Sequence, residues 1–249
     1  LIVCGRVAQA NDAVTFNRDV APLVFKHCTG CHRTGEVAPF ALLSYRDVSK
    51  RAEQILDVIE RRNMPPWKPL DGHEAFANGR RLTTEEITLV RRWVTAGAPE
   101  GKAADLPAMP EFATGWQLGE PDLVVKLEQP VNVPATGRDI YLNLVLPLEI
   151  PEGKYLKAAE FRPSNRRVLH HAVLYCDKTG RARERDKEDP EPGFKAVTPP
   201  GKLLPGPLAI WTPGRNPLPL SEGLSMLWPK GADLIVQLHL HPSGKPEVE

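Results

Sequence analysis

Three observations in the sequence predict a two-part chain, an all-α unit followed by an all-β antiparallel unit. At 249 residues the chain is longer than the roughly 100–200 of one ordinary domain. Of its 26 prolines, 20 lie after residue 100, so composition changes partway along. Hydrophobic spacing changes with it, from intervals of three and four to strand-like alternation.

In the first half, Val20, Leu23 and Val24 recur at helical spacing, as do Val48, Ala52, Ile55 and Ile59. The clearest helix is expected over 84–96: Thr83 and Glu86 form a capping box, Ile87, Val90 and Val94 give the apolar stripe, and Gly97 can supply a left-handed stop. Pro, Ala and Gly then become frequent and periodicity fades, which assigns 102–121 to an extended linker. Strand-like runs follow at 122–127, 139–148, 155–161, 168–175 and 233–241, separated by Pro/Gly turns, the pattern of an antiparallel sandwich or barrel. Between them, 177–193 holds 11 charged residues in 17, too polar to pack, and is expected to be a solvated hairpin loop.

Composition narrows the function classes. Lys+Arg 32 against Asp+Glu 31 leaves a net charge of +1, so no basic footprint exists for nucleic acid or an anionic membrane surface. No apolar run approaches the ~18 residues of a transmembrane helix. Residues 1–10 lack an initiating Met and close on Ala8-Gln9-Ala10, which reads as a signal-peptide remnant and implies a periplasmic or extracellular protein. Acylation at Cys4 is the weaker alternative, because bulky Val3 sits where a small residue is wanted. Cys28, Cys31 and Cys176 are odd in number and do not make a disulfide framework.

Cys28-Thr29-Gly30-Cys31-His32 is C-x-x-C-H, the spacing at which two thiols add to the vinyl groups of one haem while the next imidazole meets the iron. A zinc half-site would want a second Cys/His pair, and His27 and His73 do not supply its spacing. For the sixth iron ligand, Asn63-Met64-Pro65-Pro66-Trp67 offers a thioether in a proline-stiffened loop. A core role for Met64 and ligation by His73 are the alternatives; Arg61, Arg62 and Trp67 are candidates for contacts with haem. The stretch 14–101 resembles the class I c-type cytochrome domains, on Cys28, Cys31, His32 and Met64. The resemblance implies an all-α domain carrying covalent haem c and transferring single electrons.

Four of the seven histidines fall in two strand-like runs, at His170-His171 and at His239-Leu240-His241. Residues i and i+2 share a strand face, so His239 and His241 can point at one ion, whereas His170 and His171 face opposite sides unless a bulge re-aims one. Imidazole ligands suit copper or zinc, and spacing leaves satisfied or exposed histidines open as well. These segments resemble the amino-terminal half of the type II copper, ascorbate-dependent monooxygenases, which hydroxylate peptidylglycine or dopamine. The resemblance implies copper at His170, His171 and His239, the last following a Gln-apolar dipeptide, with His241 either an outer support or a fourth ligand.

The full expectation is therefore multidomain: an all-α cytochrome c domain over 14–101, then an all-β antiparallel, jelly-roll-like sandwich over 122–249. Its function would be haem c electron transfer feeding a His-ligated copper in a secreted monooxygenase-like oxidoreductase. Partners would be a redox protein or small reductant and a small-molecule or peptide substrate. The second copper of that family needs a His-x-His and a Met on a further sandwich, so the chain reads as truncated and inactive alone. The competing expectation is an electron-transfer cytochrome fused to a non-catalytic β-sandwich binding module.

Overall fold

The computed structural model describes residues 13–69, 76, 79–113, 115–127, 129–151, 153–197 and 206–249. The chain forms two compact units, Leu1–Glu111 and Phe112–Glu249, and the division falls within the stretch assigned to a linker.

In the first unit a π-helical turn, Phe16–Val20, runs into α1 (Ala21–His27), followed by α2 (Tyr45–Ser49), α3 (Ala52–Glu60) and α4 (Thr84–Thr95). Helix α4 begins as its sequence requires: Thr83 Oγ1 accepts from the Glu86 N–H, and Glu86 returns a carboxylate to the Thr83 N–H. One core gathers Phe16, Val20, Val24, Val48 and Trp93, and a second joins Ile59, Leu82, Ile87 and Val90. The Trp93 indole N–H donates to the Pro99 carbonyl at 2.9 Å, so its one polar atom is satisfied in a fully buried site. The chain after α4 straps back onto the first turn, with Phe16 and Asn17 N–H donating to the Pro99 and Glu100 carbonyls. Gly101 makes that approach possible: at φ +87° a Cβ there would lie 2.6 Å from Thr15 Cβ.

The second unit centres on a five-stranded antiparallel sheet. Its strands in chain order are β2 (Ile140–Pro147), β4 (Leu169–Asp177), β5 (Phe194–Lys195), β6 (Ala209–Trp211) and β8 (Asp233–Leu240), arranged β5-β2-β8-β4-β6. Two small ribbons accompany it, β1 (Asn132–Val133) with β9 (Glu247–Val248), and β3 (Tyr155–Leu156) with β7 (Met226–Leu227). Central β8 is buried at all eight positions, so both sheet faces are covered there. One face is apolar throughout: Leu142 and Leu144 of β2, Leu234, Val236, Leu238 and Leu240 of β8, and Ala172, Leu174 and Cys176 of β4. The other face is divided. Val145, Tyr175 and Ile235 meet Phe194 and Ala182 at one end. At the other end the alternate positions Asp139, Tyr141 and Asn143 stand beside Gln237, His239 and His241.

The expected fold class is corrected on both sides. The first unit is not an all-α cytochrome domain: its helices are short, 3 to 12 residues, and the stretches 28–44 and 61–83 hold no helix among the described residues. Glycines and prolines at Gly30, Gly35, Pro39, Pro65, Pro66 and Pro69 interrupt helical hydrogen bonding there. The second unit is not all-β, because residues 177–193 contain α5 (Arg181–Lys187) in place of a solvated loop. Asp177 nucleates that helix by accepting from the Thr179 and Ala182 N–H groups at 2.7 and 2.9 Å, and α5 buries Ala182 completely. Among the described residues, a jelly-roll pair of full sheets is replaced by one five-stranded sheet and two two-residue ribbons. The run at 122–127 forms no strand, and that at 155–161 pairs only through Tyr155 and Leu156.

Candidate metal and haem sites

The end of α1 brings the C-x-x-C-H residues together. Cys28 N–H still donates to Val24, and the Cys31 and His32 N–H groups both turn back onto the Cys28 carbonyl at 3.1 and 2.9 Å. Thr29 is fully buried and anchors the turn, its hydroxyl donating to Phe25 at 2.7 Å. Both cysteines are free and half-buried. Burial, with Cys31 alongside, pushes the Cys28 thiol up to about 12.

His32 is oriented from one side. Its Nδ1–H donates to the Phe40 carbonyl at 3.1 Å, and its ring lies 4.8 Å from that of Phe40. Phe40 is itself covered by the Arg51 guanidinium at 4.2 Å. Burial lowers the His32 pKa, with Arg51 adding to it against the Phe40 hydrogen bond. The result is a neutral imidazole whose tautomer leaves Nε2 with a lone pair, which is the donor that iron takes. The residues present thus fit a covalent haem: two thiols, and a histidine held by its other nitrogen.

Met64 lies in the loop after α3, where its N–H donates to the Val58 carbonyl. The residue is 42% exposed, so it fills no core gap. Arg61 is paired with Asp57 at 2.7 Å, and Arg62 donates to the Leu82 carbonyl, so these cations serve the local fold. Trp67 packs edge-on against Phe76. His73 and Cys4 lie outside the described residues.

In the second unit, β4 and β8 bring His170, His171 and His239 together. Leu169 pairs with Leu240 and His171 with His239, so two steps along β4 match one along β8 and His170 is the extra residue. That irregularity turns two adjacent imidazoles toward one place. His239 Nδ1 lies 3.1 Å from His170 Nδ1 and 3.1 Å from His171 Nε2. One nitrogen from each ring falls within 4.8 Å of the others. Metal–nitrogen bonds of roughly 2.0–2.1 Å place ligands of a tetrahedral ion about 3.3 Å apart, so small ring adjustments suffice to close around one ion. Among the described residues this is the one such His/Cys/Asp/Glu cluster.

Electrostatics favour a neutral His171 ring. Burial depresses the His171 pKa, and the neighbouring His239 and His170 depress it further. Its buried Nδ1 has no hydrogen-bond partner among the described residues. Three lone-pair donors without a carboxylate among them suit a borderline cation such as copper or zinc. His241 stays outside: its side chain is 68% exposed and its Nδ1–H donates to Asp139 Oδ1 at 2.6 Å. Asp139 also accepts from His239 Nε2 at 2.8 Å, and these two hydrogen bonds hold its carboxyl below the usual range.

Two supporting residues escaped the sequence reading. Asp139 is one and Tyr141 the other, whose ring stacks on His239 at 4.1 Å and 15°. Alternation along β2 puts both on one face, but only the pairing of Tyr141 with His239 shows what that face meets. Gln237, two residues before His239 on the same face, is buried and donates to Asn143 and to the Ala196 and Val197 carbonyls.

No protein-family model matches the chain, and neither a similar curated protein nor a similar solved structure was found.

Proposed function

We propose that the chain serves electron entry in copper monooxygenase-like oxidoreductase chemistry outside the cytoplasm. Cys28 and Cys31 carry covalent haem c, His32 and Met64 ligate its iron, and His170, His171 and His239 bind one copper. When bound, haem and copper would each supply single-electron chemistry, for electrons entering from a redox protein or small reductant and serving C–H hydroxylation of a small-molecule or peptide substrate. The observation that carries this reading is the convergence of three imidazole nitrogens at the His170 bulge, in a chain that also holds a C-x-x-C-H turn with His32 locked by Phe40.

This chain's own residues define each role. His32 offers Nε2 because Nδ1 is committed to a carbonyl, and the bulge at His170 makes three ligands of residues that regular pleating would separate. The test is anaerobic mixing of the ferrous haem protein with one equivalent of Cu(II). Reoxidation of haem one-for-one with loss of the Cu(II) signal, and its absence in His171→Ala, supports the proposal. Haem that stays ferrous beside bound Cu(II) contradicts it, as does equal oxidation in the variant.

A further inference from the structure

Asp139 stands just ahead of β2 and spends both carboxylate oxygens on histidines of the β8 segment. Oδ2 accepts from His239 Nε2 at 2.8 Å and Oδ1 from His241 Nδ1 at 2.6 Å. An ionised carboxylate only accepts, so both contacting nitrogens carry protons. In neutral His239 the lone pair is then on Nδ1, and Nδ1 is the atom 3.1 Å from both His170 and His171.

We propose that Asp139 is the positioning residue of the histidine trio: it fixes the His239 tautomer so that Nδ1 faces the ion, and it holds His241 out of the cluster with its second oxygen. The proposal rests on the metal reading above. Tyr141 completes the arrangement two residues along the same strand by setting the His239 ring plane. His241, two residues after His239, would otherwise be the natural fourth imidazole. Its commitment to Asp139 leaves three ligands and an open position. The carboxylate thereby links a buried ligand to an exposed imidazole through one hydrogen-bonded path.

Asp139 has 40% of its side chain exposed, so Asp139→Ala is a fair probe of the fold as it stands. Nitrogen-15 NMR of the imidazoles in the metal-free protein reads the tautomer, and titration with copper alone reads affinity. In the unaltered protein His239 should carry its proton on Nε2. Asp139→Ala should mix the two tautomers and weaken copper binding by about 10–100-fold, the usual cost of losing a ligand's hydrogen-bond partner. His241→Ala should change neither. Unchanged tautomer and affinity in Asp139→Ala overturn the proposal while the metal reading stands. No copper uptake by the unaltered protein removes the metal reading and this proposal with it.

Discussion

His170 and His239 meet Nδ1 to Nδ1 at 3.1 Å across β4 and β8, although His171, and not His170, is the residue in register with His239. A regular strand would send the His170 ring to the opposite face, into the Leu238 and Leu240 core. The extra residue in β4 therefore determines whether the site has two imidazoles or three. Deleting Leu169 should restore regular pairing and throw His170 out of the cluster. Nitrogen coupling in the bound copper's pulsed EPR spectrum would then fall from three imidazoles to two.

The haem assignment is checked by Met64. Met64→Ala should remove the weak near-infrared thioether-to-iron band of the ferric protein and lower its reduction potential, since methionine raises the potential of histidine-ligated haem iron. The Cys28→Ser and Cys31→Ser double variant should lose haem under denaturing electrophoresis. An intact band and an unchanged potential in Met64→Ala would assign the sixth position to another residue.

Leu238 lies on the apolar face of β8, one residue from His239, and is fully buried. Leu238→Ala should cost the second unit about 2–5 kcal/mol through lost transfer energy and a residual cavity. Urea unfolding followed by tryptophan fluorescence measures it. Because the side chain points away from the trio, copper affinity at low denaturant should stay near the original value.

Acid should act on the second unit through Asp177. Burial alone would raise its pKa, but the Thr179 hydroxyl and the Ala182, Thr179 and Gly180 N–H groups outweigh that and leave it lowered. A folded-state pKa below the unfolded one adds stability that is complete above the ordinary aspartate value of about 3.9 and is lost as pH falls through the lower folded value. Asp177→Asn should therefore lower the melting temperature at pH 7 and flatten its decline in acid. A variant melting curve that tracks the original at every pH would remove Asp177 from the acid response.

Local signals were legible in the sequence and long-range pairing was not. The Thr83 and Glu86 cap and the helix after it were read from spacing, because every contact involved is within four residues. The central strands β2, β4 and β8 were legible from alternation. The helix at 181–187 was not, since it depends on Asp177 capping it and on a single Ala182 reaching the sheet, a signal hidden among charges. At the candidate metal site, the need for an irregularity at His170 followed from pleating alone. Asp139 did not, because its two partners lie 100 and 102 residues away.

The most direct measurement is anaerobic copper titration of the haem-loaded protein, with EPR and pulsed EPR at each step. One equivalent should bind, giving a type II Cu(II) signal with three coordinated imidazoles, and His239→Ala should abolish it while His241→Ala leaves it intact. A signal that survives His239→Ala, or one that depends on His241 and not on His170, would contradict a copper centre built from His170, His171 and His239.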